Sequence, residues 1–307
     1  MMFRPSALLF ALGLTLTATA PAAARVQVVA TLPDLAALAG EVGGDLVTVT
    51  AMVRPTEDPH YVDPKPSLLL PLSRADVLVI NGLELEVGWL PPLLVNARNG
   101  RIQPGGAGYL DASTVVATKL QIPAGRIDRA QGDIHPGGNP HFTHDPRRAA
   151  EVALGLAARF AQVDPEHAKT YLERGQRVAT GLRQLAAAQT ARFAALPAAK
   201  RRVVVYHDSW VYLVDWLGLD QVATVEEKPG VKPSPGHVAR VLSAMKQQQA
   251  RLILQEEYYP RHTSETLSKL AAGELTVLRG GAHIERGETY TQHTLETADL
   301  LYEALSK

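Results

Sequence analysis

A long proline-free segment lies between two regions of alternating strands and helices, and it constrains the fold most. Residues 165–196 are dense in Ala, Leu, Arg, Glu and Gln. Pro165 suits a first helical turn and Pro197 stops the segment. At 1.5 Å per residue the helix would span roughly 45 Å. The sequence therefore predicts one rigid helix that runs the height of the molecule.

Short segments rich in Val, Leu or Ile, separated by helical ones, flank this helix on both sides. They are residues 26–31, 47–53 and 77–81 before the helix, and 203–206 and 252–255 after it. Strands that alternate with helices favour parallel sheets. We expect an α/β protein with two lobes, each a parallel sheet flanked by helices. The expected lobes are residues 25–150 and 199–307, joined by a helical segment over residues 151–198.

The first 24 residues have the composition of an export signal. Arg4 is followed by an apolar stretch over residues 7–16 and by three alanines at 22–24. This pattern predicts a cleavable signal peptide over residues 1–24 rather than a buried N-terminal helix, and it is too short for a membrane span. We therefore expect an exported, periplasmic protein without stable membrane insertion.

Cysteine content and charge limit the kinds of metal ligand, anchor and partner that the sequence allows. The chain contains no cysteine, which excludes disulfides, thiolate metal ligands and a lipid anchor on cysteine. Lys and Arg number 31, as do Asp and Glu, so no net charge attracts nucleic acid or an anionic membrane. We expect a monomer whose metal ligands, if any, are His, Asp or Glu.

Three histidines lie far apart in sequence, each beside a turn or a strand end. His60 and His141 follow Asp58-Pro59 and Asn139-Pro140, while His207 directly follows the strand predicted over 203–206. Proline stiffens the backbone before the imidazole. Ligands of α/β proteins bind at the carboxyl ends of strands and in clefts between lobes. Converging imidazoles would make a nitrogen-rich site that suits Zn²⁺.

Several segments together resemble the periplasmic metal-binding proteins of zinc and manganese ABC importers. They are residues 58–67, 75–86, 138–141 with 145–146, 207–210 and 232–235, in family order across nearly all of 25–307. The resemblance implies two α/β lobes, one rigid connecting helix and a metal in the inter-lobe cleft. It gives the ligand role to His60, His141 and His207. Manganese members usually have a carboxylate at the third position, so His207 favours Zn²⁺.

The fourth ligand is where the sequence departs from the family pattern. Family members commonly have an Asp after the last strand, but here Arg279-Gly280-Gly281 follows it. Glu256 matches another family carboxylate position, although an ion pair would also explain it. His283 and a water molecule remain alternatives, since three His and a water are an accepted zinc arrangement.

The loop before His141 is short of metal-binding side chains. Zinc importers often have a long His- and acid-rich loop there, whereas residues 122–138 hold only Asp128, Asp133 and His135. We interpret a metal-gathering loop as absent or vestigial. His135 and His144 are interpreted as exposed loop residues rather than transient ligands.

Two further interpretations concern neighbouring residues. Trp89 and Trp210 are expected in the core rather than at the metal. Residues 226–228, Glu-Glu-Lys, are expected to form a solvated loop.

These features predict a high-affinity zinc-binding protein that delivers Zn²⁺ to an inner-membrane ABC permease and is not an enzyme. A manganese-type protein of the same fold is the first alternative. A three-His zinc hydrolase is the second, because an open fourth position also describes a catalytic zinc. The sequence has no His-Glu-x-x-His helix to support that alternative.

Overall fold

The computed structural model describes residues 25–123, 135–228 and 230–307. The predicted signal peptide, Asp128 and Asp133 lie outside these residues. Two four-stranded sheets form, and every strand pair within them is parallel. None of the helices within the described ranges is both long and apolar enough to cross a membrane.

The first lobe is built on a sheet with the order β2-β1-β3-β4. All four residues of β3, Val-Leu-Val-Ile, are buried, as expected where helices cover both faces of a parallel sheet. The elements of this lobe are β1 (Val26–Ala30), α1 (Pro33–Gly43), β2 (Val47–Ala51), α2 (Leu69–Arg74), β3 (Val77–Ile80), α3 (Leu90–Ala97) and β4 (Tyr109–Asp111).

The second lobe repeats this arrangement with the order β6-β5-β7-β8. Its elements are β5 (Arg202–Val205), α6 (Val211–Leu217), β6 (Asp220–Thr224), α7 (Pro235–Gln248), β7 (Leu252–Glu256), α8 (His262–Leu270), β8 (Glu274–Leu278) and α9 (Tyr290–Ser306). The expected α/β class with two parallel sheets is confirmed.

Two helices that pack against each other connect the sheets, α4 (Pro146–Val163) and α5 (Ala168–Ala194). The boundary expected at residue 150 lies inside α4. The predicted long helix is confirmed as α5, whose 27 residues span about 40 Å. It begins three residues later than expected, because Pro165–His167 form a 3-10 turn.

The buried stripe of α5 serves both lobes in turn. Tyr171, Ala179 and Leu182 belong to a core cluster of the first lobe. Ala186 and Phe193 belong to a cluster of the second. A bend in α5 would disturb both cores, so the helix holds the two lobes at a fixed separation.

Further contacts join the lobes outside α5. Asp34 at the start of α1 accepts a hydrogen bond from the backbone N of Ala282 at 3.0 Å. The hydroxyl of Tyr290 donates to the carbonyl of Thr143 at 2.6 Å. Tyr290 and Ala282 also pack within the core of the first lobe. These contacts leave room for small lobe shifts rather than wide hinge opening.

Candidate metal centre

The fold brings His60, His141 and His207 together between the lobes. His60 lies in the loop after β2, His141 precedes a 3-10 turn, and His207 lies two residues after the end of β5. Their ring centroids are 5.1 Å (His60 to His141), 5.5 Å (His60 to His207) and 5.6 Å (His141 to His207) apart. All three are buried. One ring nitrogen from each lies within 4.8 Å of the others.

This spacing is close to what a tetrahedral zinc site needs. Zn–N bonds of about 2.0–2.1 Å place two ligand nitrogens about 3.4 Å apart. Starting from nitrogens within 4.8 Å of one another, side-chain rotations and small loop shifts would close the difference. The cluster can therefore hold a divalent cation without rearrangement of either sheet.

Two carboxylates, the half-buried Asp58 and the buried Glu226, orient two of the imidazoles. Nδ1 of His60 donates to Oδ1 of Asp58 at 2.9 Å, and Nδ1 of His207 donates to Oε2 of Glu226 at 2.8 Å. A carboxylate only accepts, so each ring carries its proton on Nδ1 and directs Nε2 to a metal. Such carboxylate–histidine pairs fix the tautomer and raise the basicity of the ligand.

His141 is supported by backbone bonding and ring stacking. Its backbone N donates to Oδ1 of Asn139 at 3.0 Å. Its ring is nearly parallel to that of His144, with centroids 6.1 Å apart and an interplanar angle of 10°. His144 in turn lies against Trp210 at 4.4 Å. This stack holds the His141 ring from the side facing the core.

The proton affinities of two of the histidines are shifted in opposite directions. Burial lowers the pKa of His141 well below its usual value, and neighbouring imidazoles lower it further. Burial also acts to lower the pKa of His207, but Glu226, Glu256 and Asp208 outweigh it and raise that pKa. The His141 imidazole is therefore neutral and could bind a metal without losing a proton, whereas zinc would compete with a proton at His207.

Glu256, the last residue of β7, is fully buried and close to His207. Its Oε1 accepts a hydrogen bond from the Ser209 hydroxyl, while Oε2 has no hydrogen-bond partner among the described residues. Burial raises the pKa of Glu256 to about 7, an effect that His207 partly offsets. Its oxygens lie outside the group of three histidine nitrogens.

His283, the other residue considered as a ligand, is separated from this group. Its backbone N donates to Glu288 at 2.7 Å. Its side chain lines a cavity of 360 Å³ between the lobes, with Pro33, Arg54 and Pro55. The structure thus brings together three of the candidate residues, places Glu256 near one of them, His207, and leaves His283 apart.

Three interpretations from the sequence are corrected by the structure. Residues 226–228 were expected to form a solvated loop. Glu227 and Lys228 are exposed, but Glu226 is 8% exposed and bonded to His207. His135 was expected to be exposed, but it is 8% exposed because its Nδ1 donates to the carbonyl of Leu83 at 2.7 Å. His144 was also expected to be exposed, but its contacts with His141 and Trp210 leave it half-buried, and burial lowers its pKa to about 3. Trp89 and Trp210 lie in the core as expected, each 1% exposed.

One sequence signal could have identified Glu226. It lies two residues after β6, which pairs with β5 in parallel. The carboxyl ends of neighbouring parallel strands meet at one sheet edge, so residues following β6 lie near His207. β6 itself is difficult to recognise in the sequence. Its residues, Asp-Gln-Val-Ala-Thr, are exposed or half-buried and form no apolar run.

Comparison with known proteins identifies the family. A family model described as zinc-uptake complex component A, periplasmic (ZnuA), matches residues 28–304. The chain belongs to the ZnuA family. Its members are metal-binding substrate-binding proteins of ABC importers and not enzymes. They act outside the cytoplasm, some of them as lipoproteins, together with ABC permeases.

Two curated relatives of the ZnuA family are named for different metals. The manganese-binding lipoprotein MntA of Halalkalibacterium halodurans is 23% identical over 295 residues, covering 95% of this chain and 92% of that protein. The high-affinity zinc uptake system protein ZnuA of Paracoccus denitrificans is 26% identical over 273 residues, covering 78% of each. Membership in the ZnuA family therefore establishes a divalent metal ligand without selecting the metal.

Solved structures of ZnuA proteins share the fold. A zinc-bound ZnuA with residues 138–173 deleted superposes with a TM-score of 0.76 at 23% identity, covering 92% of this chain and 99% of that one. The two-lobed architecture is thus that of the ZnuA family.

Proposed function

We propose that the protein is a periplasmic, high-affinity zinc-binding protein that captures Zn²⁺ in the cleft and delivers it to an ABC permease. The observation that supports this most is the group of three buried imidazoles from both lobes, with ring nitrogens within 4.8 Å of one another. Nitrogen donors in a four-coordinate arrangement suit Zn²⁺ better than Mn²⁺, which prefers oxygen ligands. His60, His141 and His207 would each donate one nitrogen.

Glu256 would complete the site through a water molecule. Its Oε2 has no hydrogen-bond partner among the described residues, yet it is buried beside His207. A divalent cation would stabilise the ionised carboxylate in that position. A bridging water lets Glu256 balance charge although it lies outside the group of three nitrogens.

Delivery would proceed by modest lobe movement. Residues 1–24 would direct export, and residues 25–150 and 199–307 would form the lobes on either side of the helical segment 151–198. Because α5 packs into both cores, the monomeric protein would dock on the permease by the rims of both lobes. A small shift that displaces one imidazole would then release the ion.

Manganese is the second candidate cargo. The similarity to a manganese-binding lipoprotein over 95% of the chain favours it. A buried carboxylate, Glu256, would also suit that ion. A direct comparison of the two metals decides between them.

The decisive experiment is competitive titration of the mature, metal-free protein with Zn²⁺ and Mn²⁺, alongside thermal unfolding. We expect tighter binding of Zn²⁺, and a rise in melting temperature on its addition, because a ligand of the native state stabilises that state. Alanine at His60, His141 or His207 should abolish most of the rise. His283→Ala is the matched control and should retain it. Tighter Mn²⁺ binding, or an unchanged rise in the three variants, would refute the proposal.

A further inference from the structure

One buried side chain links the backbone segments that carry two of the proposed ligands. Asn139 is 9% exposed and lies two residues before His141. Its Oδ1 accepts from the backbone N of His141 at 3.0 Å. Its Nδ2 donates to the backbone carbonyl of Asp208 at 2.7 Å, immediately after His207 in the second lobe. A single amide group therefore spans the cleft between the two histidines.

The orientation of this amide follows from its partners. A backbone N can only donate and a carbonyl oxygen can only accept, so Oδ1 must face His141 and Nδ2 must face Asp208. The second hydrogen of Nδ2 is donated to Oε1 of Gln121 at 3.0 Å. The side chain thus uses both of its donors and its acceptor.

The backbone of Asn139 is held equally firmly. The hydroxyl of Tyr212, from the second lobe, donates to the Asn139 carbonyl at 2.9 Å. The same hydroxyl accepts from the backbone N of Leu120 at 2.9 Å. The backbone N of Asn139 donates to the Leu120 carbonyl at 2.9 Å. Asn139 is therefore anchored in both lobes by main-chain and side-chain bonds.

We propose that Asn139 is a positioning residue that sets the separation of His141 and His207. This inference rests on the proposed function, because it assumes that both histidines bind the ion. Two ligand segments joined through one amide cannot move apart without breaking a buried hydrogen bond. The spacing is thereby fixed before metal arrives, and it favours an ion with short bonds to nitrogen over one that needs a wider, oxygen-rich shell.

Asn139→Asp and Asn139→Ser separate the two hydrogen bonds of the amide. Either side chain can still accept from the His141 backbone N. The aspartate oxygen would face the Asp208 carbonyl and cannot donate to it, and the serine hydroxyl is too short to reach it. The control is Gln121→Asn, which withdraws the first-lobe partner of Nδ2 and leaves the bond to Asp208. Asparagine also tolerates the backbone φ of 50° at residue 121.

The measurements are Zn²⁺ and Mn²⁺ affinity, the visible absorption of the Co²⁺-loaded protein and the metal-free melting temperature. We expect both Asn139 variants to lose about tenfold in Zn²⁺ affinity, the equivalent of one buried hydrogen bond. The Zn²⁺ to Mn²⁺ affinity ratio should fall and the Co²⁺ bands should shift, while Gln121→Asn keeps both. If the charge of Asn139→Asp prevents folding, Asn139→Ser alone serves as the test.

Variants with a lowered melting temperature but an unchanged affinity ratio and Co²⁺ spectrum would overturn the inference and assign Asn139 a structural role only. That outcome leaves the proposed function intact, because the wild type would still bind Zn²⁺. A wild-type protein that binds neither Zn²⁺ nor Mn²⁺ would instead overturn both.

Discussion

Glu226 accepts a hydrogen bond of 2.8 Å from Nδ1 of His207, and both side chains are buried. Asp58 makes the equivalent bond to His60 in the first lobe. Each lobe therefore supplies one oriented imidazole whose Nε2 would be directed to a metal bound between the lobes. The carboxylates also place negative charge next to the proposed metal site, which would offset the cost of burying a cation there.

Glu226→Gln should weaken zinc binding by about 10–100-fold, the usual effect of removing the carboxylate behind a metal-bound histidine. Competitive titration measures the loss. The control is Glu227→Gln, which alters an exposed neighbour that pairs with Arg240 at 2.8 Å. Equal losses in the two variants would show that the effect is general electrostatics rather than orientation of His207.

Zinc affinity should fall as the pH drops through the raised pKa of His207. Burial acts to lower that pKa, but Glu226 and Glu256 raise it above the usual value for histidine. Below the raised pKa the ion must displace a proton from His207, so binding weakens. His141, whose pKa is lowered, adds no such competition near neutral pH.

The same variant tests the origin of this pH dependence. In Glu226→Gln the pKa of His207 should decrease, so the loss of zinc affinity should begin at a lower pH. Titrations between pH 5 and pH 8 on both proteins measure the displacement. An unchanged midpoint would mean that Glu226 does not control the protonation of His207.

The fold could be predicted from the sequence wherever a local pattern determines an element. The Val-rich strands β1, β3 and β5, the Leu- and Ile-rich strand β7 and the proline-bounded helix α5 are of this kind. β6 was missed because its exposed and half-buried residues form no apolar run, and its position depends on pairing with β5.

The candidate site, too, could be predicted only in part. Short punctuated sequences around His60, His141 and His207 identified residues that the fold brings together. The partners of these histidines were not apparent. Glu226 depends on the placement of β6, and the role of Asn139 depends on the Asp208 carbonyl across the cleft. Long-range contacts of this kind leave no periodic signal in the chain.

Trp89→Phe should reduce both stability and zinc affinity. Nε1 of Trp89 donates to the carbonyl of Pro59 at 2.9 Å, so the indole holds the loop that presents His60. Loss of this bond and of core volume should lower the unfolding free energy by about 1–3 kcal/mol. Trp216→Phe is the matched control, because Nε1 of this buried indole donates to Ala186, away from the metal centre. Trp216→Phe should lose comparable stability and keep its zinc affinity. Equal losses of zinc affinity in the two variants would contradict the role of Trp89.

Glu256→Gln should stabilise the metal-free protein at alkaline pH and weaken zinc binding. Burial raises the pKa of Glu256 from 4.5 to about 7. The folded state therefore loses stability relative to the unfolded state as pH rises from 4.5 through 7, by roughly 3 kcal/mol. Glutamine avoids this cost and can still accept the Ser209 hydrogen bond, but it cannot balance the charge of an ion. Denaturant unfolding at pH 5 and pH 8, with and without zinc, measures both effects, with Glu303→Gln on the exposed face of α9 as the control. If this variant binds zinc as tightly as the wild type does, Glu256 does not belong to the metal site.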